Sequence, residues 1–204
     1  MKTKFSALLG TALLTGLAST IITAPAQAAS VSCSVSNVKL GGVNATACAG
    51  PFSGNDTGNG APLETQLDNG LFASYVGAGN WSLVGKSDSG DFTAGSNSNG
   101  NFNLTNIASD LMSGPFVVSL KASTKYSAYL FKDYDFATKG WAGLYNTIGV
   151  STNNRGIAQG LSHASVFKLN VVKPPVEKKI PEPATMMGLG VVASAMLIRR
   201  RKSN

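Results

Sequence analysis

The 204-residue chain has one histidine, His163, and two cysteines, Cys33 and Cys48. With one imidazole, a Ser-His-Asp triad can be built only through His163, and a His-rich metal centre cannot be built at all. Gly160-Leu161-Ser162-His163-Ala164 comes near a Gly-x-Ser-x-Gly elbow, but its last position differs and the residues after it alternate like a strand. In a strand Ser162 and His163 face opposite sides, so they cannot pair as nucleophile and base, and His163 reads as a structural or strand-end residue. Charge is scarce, at 13% of residues. Between Ala29 and Lys173, nine lysines and arginines face eight aspartates and glutamates, so the body holds only +1 of the whole chain's +7. That balance argues against a nucleic-acid partner. No internal repeat and no βαβ rhythm is visible, and no cofactor is expected.

What is present is glycine, serine, threonine and asparagine around short alternating runs, a pattern that suits a β-rich exported domain. Strands are predicted over residues 31–35, 43–49, 80–86, 101–105, 115–121, 125–132, 141–148 and 161–172. In the first, valines alternate with polar residues. In 80–86, Trp81, Leu83 and Gly85 should share one face. Phe116, Val118 and Leu120 should share a face, as should Tyr126, Ala128 and Leu130. Ala122-Ser123-Thr124 reads as the tight connection of a hairpin. Residues 50–61 read as a glycine-rich loop, and Leu63, Leu67 and Leu71 as helical turns ended by Asn69-Gly70. The fold class is all-β, an antiparallel sandwich or jelly roll over residues 29–172. Cys33 and Cys48 read as a disulfide in an oxidising compartment; metal binding or a redox pair fits poorly with their separation and the lone histidine.

The two ends look like targeting segments. Lys2 and Lys4 precede an apolar stretch, and Ala26-Gln27-Ala28 offers small residues for signal peptidase, so residues 1–28 read as a signal peptide helix cut between Ala28 and Ala29. Residues 173–180 form a linker stiffened by Pro174 and Pro175. Then come Pro181-Glu182-Pro183, an uncharged apolar run at 184–198, and Arg199-Arg200-Arg201-Lys202. As a helix the run spans roughly 22 Å, short of the roughly 30 Å hydrocarbon core but workable if the arginines snorkel. The basic cluster favours the cytoplasmic side, which leaves Pro-Glu-Pro extended on the outer face.

This three-part tail, with Pro181-Glu182-Pro183-Ala184-Thr185, Met187-Gly188-Leu189-Gly190 and the basic stop, resembles the PEP-CTERM sorting signal. The resemblance implies that an exosortase, a membrane-embedded cysteine transpeptidase-like enzyme, processes residues 181–204. It also implies a membrane-anchored intermediate, followed by delivery to the cell surface or an exopolysaccharide matrix. The phrases at 80–86, 116–122, 126–131 and 161–167 resemble a cargo domain of exported PEP-CTERM proteins, which implies a β-sandwich body and nothing catalytic.

For the body three readings compete. The first is a non-enzymatic surface or matrix protein. The second is a carbohydrate-binding module for exopolysaccharide, stacking sugars on Trp141, Trp81 or Tyr134, whose planar rings suit the apolar faces of pyranoses. The third is a secreted hydrolase using a carboxylate pair. The pairs Asp133/Asp135 and Asp88/Asp91, and Asn55-Asp56, offer oxygens to calcium, but none matches a twelve-residue calcium loop, and they read as solvated turn residues.

Overall fold

The computed structural model describes residues 32–112 and 114–170. The expected signal peptide, the linker, the Pro-Glu-Pro segment and the C-terminal helix fall outside them. Among the described residues no helix is long and apolar enough to cross a membrane.

Ten strands form two antiparallel sheets: β1 (Val38–Leu40), β2 (Val43–Asn44), β3 (Ala47–Ser53), β4 (Asn80–Lys86), β5 (Thr93–Ala94), β6 (Asn99–Asn103), β7 (Phe116–Ala122), β8 (Lys125–Phe131), β9 (Ala142–Asn146) and β10 (His163–Asn170). Sheet A has the order β2-β1-β9-β6-β5, and sheet B the order β3-β8-β7-β10-β4. Four short helices punctuate them: α1 (Pro62–Asp68), α2 (Ala73–Val76), α3 (Ala108–Leu111) and α4 (Phe136–Lys139). The body is mostly β, in two antiparallel sheets, as expected.

The hairpin β7-β8 is the spine. Ala122 pairs with Lys125 across the turn at Ser123-Thr124. Alternation divides its residues between two cores. Phe116, Val118, Leu120, Tyr129 and Phe131 point between the sheets and meet Val38, Leu40, Phe102 and Tyr145 of sheet A. Val117, Tyr126, Ala128 and Leu130 point to the opposite face of sheet B, where Leu63 and Leu67 of α1, with Phe72, cover them. Two glycines in sheet A have a packing reason: Gly100 and Gly143 lie opposite Tyr145 and Phe102, and a Cβ on either would enter the neighbouring ring.

The helix expected around Leu63 and Leu67 is present, with Pro62 in its first turn and Asn69 as its cap. Its Asp68 accepts a hydrogen bond from the Trp81 amide at 2.6 Å, and its Glu64 one from the Leu83 amide at 3.2 Å. Both amides lie on the open edge of β4, so α1 closes that edge as well as the core beneath it.

Several expectations are corrected. Residues 32–34 are irregular and Val35–Asn37 form a 3-10 turn, because Ser34 and Asn37 build a capping box there; the strand starts at Val38. The strand placed at 101–105 runs over Asn99–Asn103. The glycine loop begins only after Ser53. In β4 Leu83 pairs with Phe167 and keeps the side of Trp81, but it is 41% exposed where Trp81 is 4%. The shared face breaks at Gly85, which a register shift at Val166/Phe167 pairs with Val166 of the inter-sheet core.

Candidate functional site

The cover over sheet B has a polar end. His163 pairs with Lys121 across β10 and β7, and Ser165 with Ser119, so these four side chains share the face of Val117 and Phe167. The loop at residues 54–61 crosses above them. It is fixed by the Gly54 amide donating to Thr124 and the Leu63 amide donating to the Asp56 carbonyl.

This places Asp56, fully buried, 2.7 Å from His163 Nε2. On the other side of the ring, Nδ1 lies 3.5 Å from Asp88 Oδ2, and Asp88 pairs with Lys86 at 3.1 Å. A relay Lys86–Asp88–His163–Asp56 thus runs from solvent to the core. Burial alone would push the Asp56 carboxyl up, but the hydrogen bond and charge of His163, helped by the Ser119 and Ser165 hydroxyls, hold it below the ordinary carboxylate value. An ionised carboxylate only accepts, so Nε2 of His163 carries the proton. The two serines act on Asp56 without full hydrogen-bond geometry: Asp56 Oδ2, Ser119 Oγ and Ser165 Oγ have no partner meeting it among the described residues.

The expectation that Asp56 is a solvated turn residue is therefore overturned, and the pairing with His163 was missed. The one legible signal was that β10 parity sends His163 to the same face as Ser165. Chemically, both ring nitrogens face carboxylates, so the imidazole has no free side for a nucleophile. Ser162, exposed on the opposite face, lies out of the cluster. The other carboxylates also hold backbone. Asp91 accepts from the Lys86 amide at 2.8 Å. Asp135 caps α4, accepting from the Ala137 amide at 3.0 Å and the Thr138 hydroxyl at 2.8 Å.

The aromatic residues separate. Trp81 is buried under α1 and cannot serve as a sugar platform. Trp141 stacks on Phe136 with ring centroids 3.9 Å apart, and Tyr134 meets Phe136 edge-on at 4.7 Å while its hydroxyl donates to the Gly140 carbonyl. Both are half-buried against the inter-sheet core. Cys33 and Cys48 are joined, tying the segment before β1 to β3 and so one sheet to the other.

Outside the described residues, positions 179–202 match the family model of the PEP-CTERM protein-sorting motif. The chain carries a PEP-CTERM sorting signal. The match contains Pro181, Glu182, Pro183 and the whole basic stop from Arg199 to Lys202. It is the C-terminal signal of exosortase substrates, so an exosortase is the processing partner and the cell surface the destination it supports. No curated protein and no solved structure matches the chain.

Proposed function

We propose that this is an exported surface or extracellular-matrix protein with a non-catalytic β-sandwich body. Signal peptidase removes residues 1–28, the C-terminal run holds the intermediate in the inner membrane, and an exosortase cuts at or near Pro181-Glu182-Pro183. The PEP-CTERM match carries the reading. The joined cysteines support an oxidising destination. The enclosure of His163 between two carboxylates favours a structural role over a catalytic one. A carbohydrate-binding body remains the second reading, favoured by the open, nearly uncharged outer face of sheet A. A secreted hydrolase has no geometric support among the described residues.

Intact-mass measurement of the protein recovered from outside the cell tests the leading reading. The expected species starts at Ala29, ends near Pro183 and is two hydrogen atoms lighter for its disulfide. Glu182→Ala, or loss of the exosortase, should leave full-length tail in the inner membrane. Unchanged release in either case refutes the proposal.

A further inference from the structure

The sandwich has closed nearly all of its regular surfaces. The edge amides of β4 are taken by Asp68 and Glu64. The β3 edge carries Pro51, the bonded Cys48 and a register break between Ala49 and Phe52. The remaining edges, β2 and β5, are two residues long. The outer face of sheet B lies under α1 and the loop at 54–61. Among the described residues one regular surface is left, the outer face of sheet A.

Its composition is unusual for a strand surface. Asn99, Asn101 and Asn103 of β6 all point outward and are exposed, alternating with Gly100 and Phe102. Asparagine is among the poorest strand formers, and three in one strand weaken the sheet without packing anything. The fold explains the glycines, which the rings of Tyr145 and Phe102 cover, but it does not explain all of these amides. Asn103 accepts from the Thr105 amide and hydroxyl, and Asn146 accepts from Asn37. Asn99 and Asn101 make no side-chain hydrogen bond among the described residues. A local rule broken without structural gain marks a functional surface.

We propose that this face binds a neutral, hydroxyl-rich polysaccharide. The proposal rests on the second reading above and gives it a site different from the aromatic residues. A side-chain amide offers two donors and an acceptor with two lone pairs, which matches a hydroxyl that both donates and accepts. Outward amides on one strand repeat at about 6.8 Å, a spacing that follows an extended chain laid along β6. Asn44, Lys39, Leu144 and Asn101 form one cross-strand row. In it Leu144 is 56% exposed and offers an apolar contact to the C–H face of a sugar ring. Lys39 is the only charge on the five strands, so the face has no means of holding a polyanion. Strand parity turns Trp141 inward, away from this surface.

The test is affinity electrophoresis of the detergent-solubilised full-length protein through gels containing soluble mixed-linkage β-glucan, galactomannan or alginate. Retardation by at least one of the two neutral polymers and not by alginate is expected. Asn99→Ser with Asn101→Ser should weaken binding at least tenfold, and Leu144→Lys should do the same, with the near-UV circular dichroism of each variant unchanged. Retardation by neither neutral polymer overturns both this site and the carbohydrate-binding reading. Retardation that survives the three substitutions but is lost in Trp141→Ala keeps that reading and overturns this site. Preference for alginate overturns the assignment of a neutral ligand. Export and tail processing are measured separately by mass and stand or fall independently.

Discussion

Replacing Asp56 with alanine removes one member of a buried carboxylate–imidazole pair and leaves His163, 8% exposed, with its Nε2 proton facing no acceptor. Losing a hydrogen bond to a charged group and leaving its donor buried typically costs about 1.5–3 kcal/mol. For a body of this size that is a fall in melting temperature of about 4–10 °C. The loop at 54–61 and the lid of Leu63 and Leu67 loosen together, since the Asp56 carbonyl also receives the Leu63 amide. Urea titration followed by tryptophan fluorescence reads this directly, because Trp81 sits under the same lid. His163→Ala should fall by a similar amount, and the double variant by little more than either single one, so that the coupling nearly equals a single loss. Single losses below about 1 kcal/mol that add in the double variant would show that the pair does not fasten the lid.

The same pair sets an acid limit with a definite sign. The Asp56 carboxyl titrates below its ordinary value of about 4 in the folded protein. Its contribution is therefore fully present above that ordinary value and is lost as the pH falls through the folded one. Asp56→Asn keeps the shape and removes the titration. Its stability should decline less steeply than wild type below pH 4, and a parallel decline would refute the assignment.

Three further outcomes follow from other contacts. Cys33→Ser with Cys48→Ser, or reduction of the wild type, should cost about 3 kcal/mol by freeing the loop between the two positions, read as a lower urea midpoint. Glu64→Ala with Asp68→Ala strips the cover from the Trp81 and Leu83 amides, costs about 0.5–1.5 kcal/mol per lost hydrogen bond, and should produce concentration-dependent dimers on size exclusion. Gly143→Ala drives a methyl into the Phe102 ring and to 2.7 Å from the Lys39 carbonyl, and should lower stability by about 1–3 kcal/mol. An alanine at Gly42, with open space around its Cβ position, should act only through its positive φ and so cost less.

The parts of the fold legible in the sequence are those encoded by neighbours. Phe116 to Leu120 and Tyr126 to Phe131 alternate strictly around a two-residue turn, so strand, hairpin and facing all follow from one local pattern. α1 was legible because leucines four apart sit between Pro62 and Asn69-Gly70. Where two local signals compete, alternation alone misleads. Val31, Cys33 and Val35 alternate, yet the Ser34 hydroxyl and Asn37 amide satisfy the backbone of a 3-10 turn, and that is the structure formed. The Asp56–His163 pair was illegible for a different reason. Its members lie 107 positions apart, and Asp56 is buried only because a loop of glycines and asparagines folds over a face that strand parity had already made polar. Parity could have shown that His163, Ser165, Ser119 and Lys121 meet on that face once β7 and β10 were paired. A buried imidazole beside a lysine there needs an anion, and an acidic residue in the unassigned loop before α1 was the available source. The sequence contained both halves of that deduction; the missing link was the long-range strand order.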